Sequence, residues 1–295
     1  MTLHPKRSVA IFVGLTCALS WSFVWAVRAG LPIPPWAFAL VLMWIPGTVA
    51  LVLRGTFREG LGDAGFRAGA GRYWLLAYAV PFVMASATYL IAMALQLVSL
   101  TPHLQEQSMF GPVPLRLVWW MPEAGTAGLL AQRFLVTATL GVVVGFAYAL
   151  GEEIGWRGYL LPKLVEGRAR FPILISGVVW GVWHMVFVLL MYEHHRVANA
   201  FLYALLCLAG GVFMCWSRLA SGSVFVAAMA HSAYNSFFQN FYDHSFTGPT
   251  KWLWAGDVGL LCSLSSGIVA WWLSRTGRLA RPGITGACSF PTRTP

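Results

Sequence analysis

The chain has 295 residues, of which 58% are hydrophobic and only 10% are charged, and it contains 15 tryptophans. A soluble domain carries about 25% charged residues, so too few charges remain here to cover a surface in water, and lipid is the expected solvent. The net charge of +10 fits membrane topology and attraction to anionic lipid headgroups. No nucleic-acid partner is expected, because no soluble domain carries a basic patch.

Eight apolar runs approach the length of about 20 residues that a helix needs to cross a bilayer. The seventh run is the least hydrophobic, because it contains His231, Asn235 and Gln239. We predict an all-α, polytopic membrane protein with about eight transmembrane helices. A single transmembrane domain is expected over residues 1–274, followed by a disordered cytoplasmic tail over residues 275–295. The runs cover residues 9–28, 36–53, 73–97, 127–151, 172–191, 199–216, 222–240 and 255–273.

The first run has two interpretations. Lys6 and Arg7 precede it, and Val24-Trp25-Ala26 resembles a signal-peptide cleavage site. The run is, however, longer than the apolar segment of a signal peptide and contains Trp21. A retained first helix is therefore favoured over a cleaved signal peptide.

The positions of lysine and arginine predict the orientation of the helices, since cytoplasmic loops carry an excess of both. With the N-terminus inside, 14 basic residues fall in inner segments and four in outer segments. Both termini are thus predicted to be cytoplasmic. No organelle signal was recognised, which favours the inner membrane of a bacterium. The inner residues are Lys6, Arg7, Arg54, Arg58, Arg67, Arg72, Lys163, Arg168, Arg170, Arg218, Arg275, Arg278, Arg281 and Arg293, and the outer ones are Arg28, Arg116, Arg196 and Lys251.

The five cysteines fall mostly inside apolar runs, and no CxxC pair occurs. They are predicted to be small buried hydrophobic residues, which argues against a disulfide framework or a zinc knuckle.

The stretch "GEEIGWRGYLL", residues 151–161, places two of only ten acidic residues side by side. If the helix continues through this stretch, Glu153 and Arg157 form an ion pair four residues apart. Glu152 lies about 100° around the helix from Glu153 and is then free for chemistry. Alternatively, both glutamates end the helix among the headgroups, although carboxylates at a helix C-terminus oppose its dipole.

Two further predicted helices carry isolated polar residues. In "VVWGVWHMVF", His184 follows Trp180 by four residues, and in "AAMAHSAYNSFF", His231 and Asn235 share one helix face. Each alone is more often a packing residue or an interhelical hydrogen bond. Unpaired polar groups are costly in hydrocarbon, however, so we predict that Glu152 and these residues cluster around one wet cavity.

Such a cluster is suited to two kinds of chemistry. A carboxylate with two imidazoles and an amide can activate water and stabilise an oxyanion. The same carboxylate and imidazoles can also hold a divalent metal, for which Glu152, His184 and His231 are the candidate ligands.

These residues together resemble a known family. Glu152-Glu153-x-x-x-Arg157, Trp180-x-x-x-His184 and His231-x-x-x-Asn235 are similar to the motifs of the CPBP intramembrane proteases, which include the type II CAAX prenyl endopeptidases and abortive-infection-like proteins. The resemblance covers about residues 145–240. Three motifs occur in the right order, each on a predicted membrane helix.

The resemblance implies an eight-helix membrane fold that cleaves a peptide bond in or beside the membrane. Glu152 resembles the general base, and His184 the residue that helps to hold the water. His231 and Asn235 resemble the oxyanion-stabilising pair. Glu153 and Arg157 resemble the supporting ion pair. Both Zn²⁺ and a metal-free glutamate mechanism remain open, although the lack of an HExxH motif excludes the usual zincin arrangement.

The second motif departs from the family pattern. Trp180 stands where phenylalanine is more usual, and Met185-Val186 follows His184 where a proline is often nearby. These differences put the fit of the substrate in doubt more than the chemistry.

The predicted function is that of a membrane-embedded endopeptidase. Its partners would be the lipid bilayer and a membrane-associated peptide or protein, lipidated or not. Because the run that ends at Glu152 is directed inward, access is expected laterally or from the cytoplasmic side. The alternatives are a non-proteolytic scaffold or bacteriocin-immunity protein, and a transporter or proton relay. The lack of an internal repeat argues weakly against the transporter.

Overall fold

The computed structural model describes residues 3–101, 125–276, 278 and 279. Nearly all of the predicted disordered tail lies outside these residues. Eleven α-helices occur in the described part, together with one antiparallel pair of two-residue strands, β1 (Ser99–Leu100) and β2 (Phe246–Thr247). The helices are α1 (Pro5–Arg28), α2 (Pro35–Thr56), α3 (Gly71–Ala94), α4 (Gly125–Val136), α5 (Val142–Gly155), α6 (Leu161–Glu166), α7 (Pro172–Met191), α8 (Arg196–Ser221), α9 (Val224–Tyr234), α10 (Lys251–Trp254) and α11 (Leu260–Arg275).

The fold is that of an all-α polytopic membrane protein. Within the described residues, six helices are long and apolar enough to cross a bilayer, and they match the first six predicted spans. The seventh predicted span forms α9 and a π-helical continuation, Asn235–Asp243. The eighth begins later than predicted, because α11 starts at Leu260. The number of eight spans and the orientation stay predictions.

The fourth span differs from its prediction in length. Helices α4, α5 and α6 are joined by π-helical turns at Thr137–Gly141 and Trp156–Leu160 into one helix, Gly125–Glu166, which we call the long helix. The predicted span ended at residue 151, and this boundary is wrong. The alternative in which Glu152 and Glu153 end the helix is wrong as well. The helix continues because the charge of Glu153 is neutralised inside the bundle.

Helix α1 is an integral part of the bundle. Its Phe12 side chain is fully buried and contacts the rings of Trp156 and Tyr159 on the long helix, with centroids 5.7 and 5.1 Å apart. This packing fits the retained first helix. The described cysteines are also buried and free, as predicted, and they are Cys17, Cys207, Cys215 and Cys262.

Glycines allow α2 and α5 to approach closely beside the site. A Cβ atom on Gly151 would lie 2.7 Å from the Cα of Trp44, and Gly47 of α2 faces the carbonyl of Gly151. Trp44 Nε1 donates a hydrogen bond of 2.9 Å to the carbonyl of Ala147. Small residues at such contacts let helix backbones meet in a membrane. This contact fixes where α5 presents Glu152, the residue that follows Gly151.

Replacing Gly151 with alanine is expected to lower the melting temperature, since overpacking costs about 1–3 kcal/mol. Thermal unfolding in detergent, followed by tryptophan fluorescence, measures the effect. Gly14→Ala is the matched control in α1, because nothing lies within 4 Å of a Cβ atom there. That control should be neutral or stabilising, since alanine favours helix interiors. Equal melting temperatures for both variants would contradict the close contact.

Candidate active site

Glu152 is held by two tryptophans through one of its two oxygens. Its Oε2 accepts hydrogen bonds from Trp180 Nε1 at 2.7 Å and from Trp156 Nε1 at 3.1 Å. The residue is only 2% exposed. Because both indoles donate to Oε2, Oε1 is left as an acceptor for another group. The role of Trp156 was missed in the sequence, although it lies four residues after Glu152, on the same helix face.

Glu153 is the centre of a buried charge cluster behind Glu152. Its Oε1 accepts from Arg157 Nη1 at 2.9 Å and lies 2.8 Å from His231 Nδ1. Glu153 and Arg157 have no exposed surface. The predicted ion pair is thus confirmed, whereas the contact with His231 was not predicted. A carboxylate only accepts, so the proton of this contact belongs to His231 Nδ1, and Nε2 is left for the cavity.

His184 of α7 is oriented by the backbone of its own helix. Its Nδ1 lies 3.1 Å from the carbonyl oxygen of Trp180. The carbonyl only accepts, so Nδ1 carries the hydrogen and Nε2 of the neutral ring is an acceptor. The ring stacks on Tyr203 with centroids 4.5 Å apart. Cys207 Sγ lies 3.5 Å from Nδ1 and packs the same edge of the ring.

The four predicted catalytic side chains line one cavity of about 260 Å³. They come from three parts of the chain: Glu152 from α5, His184 from α7, and His231 with Asn235 from α9 and the π-helical turn after it. Such π-helical turns often occur at functional sites. Glu153 lies behind this cavity rather than in its wall. The arrangement brings a carboxylate, two imidazoles and an amide to one space.

Several other cavity residues were not in the predicted site. Trp183 and Tyr234 line the cavity, and within the described residues neither Trp183 Nε1 nor the Tyr234 hydroxyl has a hydrogen-bond partner. Both groups are donors that a bound peptide backbone can use. Gln239 and Asp257 also line the cavity. In the sequence, these two residues could be singled out only because each is a polar residue in a largely apolar run.

The side chains as placed do not fit a three-ligand metal site. No three histidine, cysteine, aspartate or glutamate side chains in the described part of the chain are grouped closely enough to hold a metal ion. The candidate ligands Glu152, His184 and His231 are instead held by tryptophan, backbone and carboxylate partners. A zinc site needs at least three such ligands, and no step below depends on a metal.

Trp180→Phe is expected to lower kcat by about tenfold, because a hydrogen bond to a charged group contributes about 1.5–3 kcal/mol. The variant has the residue more usual in this motif but removes the shorter of the two indole contacts with Glu152. Trp74→Phe is the matched control, since it removes an indole hydrogen bond of 2.7 Å, to the carbonyl of Ala68, that lies away from the cavity. Equal rates for the two variants would show that the indole does not position Glu152.

One comparison with known proteins gives a match. The sequence profile of the family described as type II CAAX prenyl endopeptidase Rce1-like matches residues 134–237. That segment contains all four of the cavity residues predicted to be catalytic, Glu152, His184, His231 and Asn235. A search of curated proteins finds no match.

Proposed function

We propose that the chain hydrolyses a peptide bond in a membrane-associated protein or peptide through a water activated by Glu152 and His184. The match of residues 134–237 to the Rce1-like family of type II CAAX prenyl endopeptidases supports this proposal. The observation that supports this best is the asymmetric environment of Glu152. Two indoles hold Oε2, while Oε1 has no such donor among the residues that the structure describes, and the residue lines a cavity with His184, His231 and Asn235.

In the first step, a water molecule bridges Glu152 Oε1 and His184 Nε2. Glu152 takes a proton from the water as its oxygen bonds to the carbonyl carbon of the substrate. The electron pair of the carbonyl bond moves to the carbonyl oxygen. His184 acts as an acceptor that orients the water, because its Nδ1 hydrogen is already donated to Trp180.

In the second step, the tetrahedral oxyanion is stabilised by His231 and Asn235. Both line the cavity beside Glu152, and we assign their N–H groups as the donors of an oxyanion hole. Protonated His231 donates through Nε2 while its Nδ1 remains on Glu153 at 2.8 Å. Glu153 thus supports the imidazolium, and Arg157 prevents a surplus of negative charge in the bundle.

In the third step, the intermediate collapses and the C–N bond breaks. Glu152, now protonated, donates its proton to the leaving nitrogen, so that the products are a carboxylic acid and an amine. Glu152 returns to its carboxylate form. No other acid is needed, because a single carboxyl group accepts and returns the same proton.

The proposal is tested by comparing wild type and Glu152→Ala, purified in the same detergent, on a library of quenched peptides with and without a C-terminal prenylcysteine. Cleavage by wild type alone supports the proposal, and the preferred peptides show whether lipidation matters. Glu166→Ala is the control, because Glu166 is an exposed glutamate at the end of the same long helix. Folded wild type that cleaves no peptide would contradict the proposal.

Pre-incubation of wild type with a metal chelator is expected to leave the cleavage rate unchanged, because the cavity residues do not form a three-ligand site. Rates with and without chelator are compared on the best peptide. A loss of activity that added Zn²⁺ restores would contradict the metal-free mechanism, but not the assignment of Glu152 as the base.

A further inference from the structure

The bundle has a strongly basic end. This end is defined by contacts that the segment between α2 and α3 makes with other helices. The carboxylate of Glu59 lies 3.4 Å from Lys163 Nζ and 3.3 Å from Ser8 Oγ. Arg218 donates a hydrogen bond of 2.6 Å to the carbonyl of Asp63. We call this the basic end. Twelve described lysines and arginines belong to it, and they are Lys6, Arg7, Arg54, Arg58, Arg67, Arg72, Lys163, Arg168, Arg170, Arg218, Arg275 and Arg278.

The other end of the bundle, which we call the opposite end, carries few basic residues. It is defined by the β1–β2 pair, by stacking of His195 on Trp252 with centroids 3.9 Å apart, and by a 3.4 Å contact between Tyr89 and Asp243. The described basic residues here are Arg28, Arg196 and Lys251. Cytoplasmic segments are enriched in lysine and arginine, so the predicted orientation places the basic end in the cytoplasm and the opposite end outside.

The catalytic cavity extends from Glu152 towards the opposite end. Its wall includes Tyr192, which follows the last residue of α7, and Asp257, which precedes α11. Ala39 joins the wall from the first turns of α2, and Tyr203 from the first turns of α8. All four positions lie at or near the helix ends that are remote from the basic loops.

Within the described part of the chain, no connecting segment of the basic end contributes to the cavity. Its lining contains no residue from the segments 57–70, 167–171 or 222–223. The lining residue of α8 nearest to that end is Met214, seven residues before the helix ends at Ser221, which is about 10 Å along the axis. Arg157 and Tyr159, which follow the site on the long helix, are fully buried. Packed side chains therefore close the cavity on the cytoplasmic side.

We propose that substrate reaches Glu152 from the extracytoplasmic side of the membrane, so that the substrates are outward-facing segments of membrane or exported proteins. This inference rests on the proposed function for its substrate class, but the direction in which the cavity opens is independent of catalysis. It replaces the expectation of cytoplasmic access, which depended on a helix that ended at Glu152. A prenylated C-terminus in the cytoplasm would meet the closed end.

Cysteine accessibility tests the proposal without using activity. In a Cys207→Ser, Cys288→Ser background, whose three other cysteines are buried and do not line the cavity, we would prepare three variants. Gln239→Cys reports on the cavity, Glu193→Cys on the exposed opposite end and Arg170→Cys on the exposed basic end. Intact cells of a bacterial host are treated with a small, charged, membrane-impermeant methanethiosulfonate. The protein is then denatured and its remaining free thiols are counted by reaction with a maleimide. One thiol fewer than in the untreated sample shows that the introduced cysteine was modified.

Modification at positions 239 and 193 in intact cells, with position 170 modified only after permeabilisation, is the expected result. Protection of position 239 in intact cells would overturn the proposal, whether or not permeabilisation exposes it. The reverse pattern at positions 193 and 170 would overturn it as well, because the orientation would be inverted. Failure of the proposed function would give a different result. The three positions would be labelled as expected, but the protein would cleave no peptide.

Discussion

Replacing Glu152 with glutamine is expected to lower kcat by about 100- to 10,000-fold, the usual contribution of a general base. The amide has the size of the carboxyl group and its oxygen can still accept the indole hydrogen bonds of Trp180 and Trp156, but it cannot take a proton from water. KM should change little, since the shape of the cavity is retained. Initial rates over a range of peptide concentrations separate kcat from KM.

The control for this variant is Glu166→Gln. Glu166 lies on the same long helix, its side chain is 52% exposed, and its only described ion-pair partner is Lys163 at 3.1 Å. This variant should have wild-type kcat. Thermal unfolding of Glu152→Gln should match wild type, which would show that the lost rate is not lost folding. A Glu152→Gln protein with an undiminished rate would exclude Glu152 as the base.

Arg157→Ala is expected to have the largest effect on stability. Its guanidinium is fully buried against Glu153 at 2.9 Å, and it also lies over the ring of Trp180, 4.4 Å from the centroid. Removing one partner leaves an uncompensated buried charge, which costs about 3–5 kcal/mol. The melting temperature in detergent should fall strongly. Arg170→Ala is the control, because Arg170 is exposed and contacts the ring of Phe171.

The double variant Glu153→Gln, Arg157→Met distinguishes stability from catalysis. It removes both buried charges together, so most of the lost stability should return. Its kcat should remain low, because His231 loses the carboxylate that supports its imidazolium. A single Arg157→Ala variant as stable as wild type would contradict the buried ion pair. A double variant with full activity would contradict the role of Glu153.

Local geometry explains which parts of the site could be predicted. The pairing of Glu153 with Arg157 follows from a separation of four residues on one helix, and no other part of the chain is needed to infer it. The clustering of Glu152, His184 and His231 followed from a more general argument, the cost of unpaired polar groups in hydrocarbon. That argument indicates that they meet but not which atoms touch.

The errors have a physical cause as well. The long helix was predicted to end near Glu152 because two carboxylates follow an apolar run. It continues through the ion pair of Glu153 with Arg157, and His231 of α9 contacts the same carboxylate oxygen. A partner from another helix cannot be inferred from spacing along one helix. The predicted lateral or cytoplasmic access, which followed from that helix end, stays a prediction, and the extracytoplasmic access that we propose is its alternative.

By itself, the sequence determined the all-α membrane fold, six of the spans and four polar residues that line one cavity, because bilayer thickness sets the length of apolar runs and helix periodicity sets which side chains share a face. Only the tertiary structure decided that Trp180 and Trp156 donate to one oxygen of Glu152, that Glu153 joins Arg157 to His231, and that residues near the opposite end line the same cavity as Glu152. These contacts join separate helices, and packing between helices depends on side chains far apart in the chain.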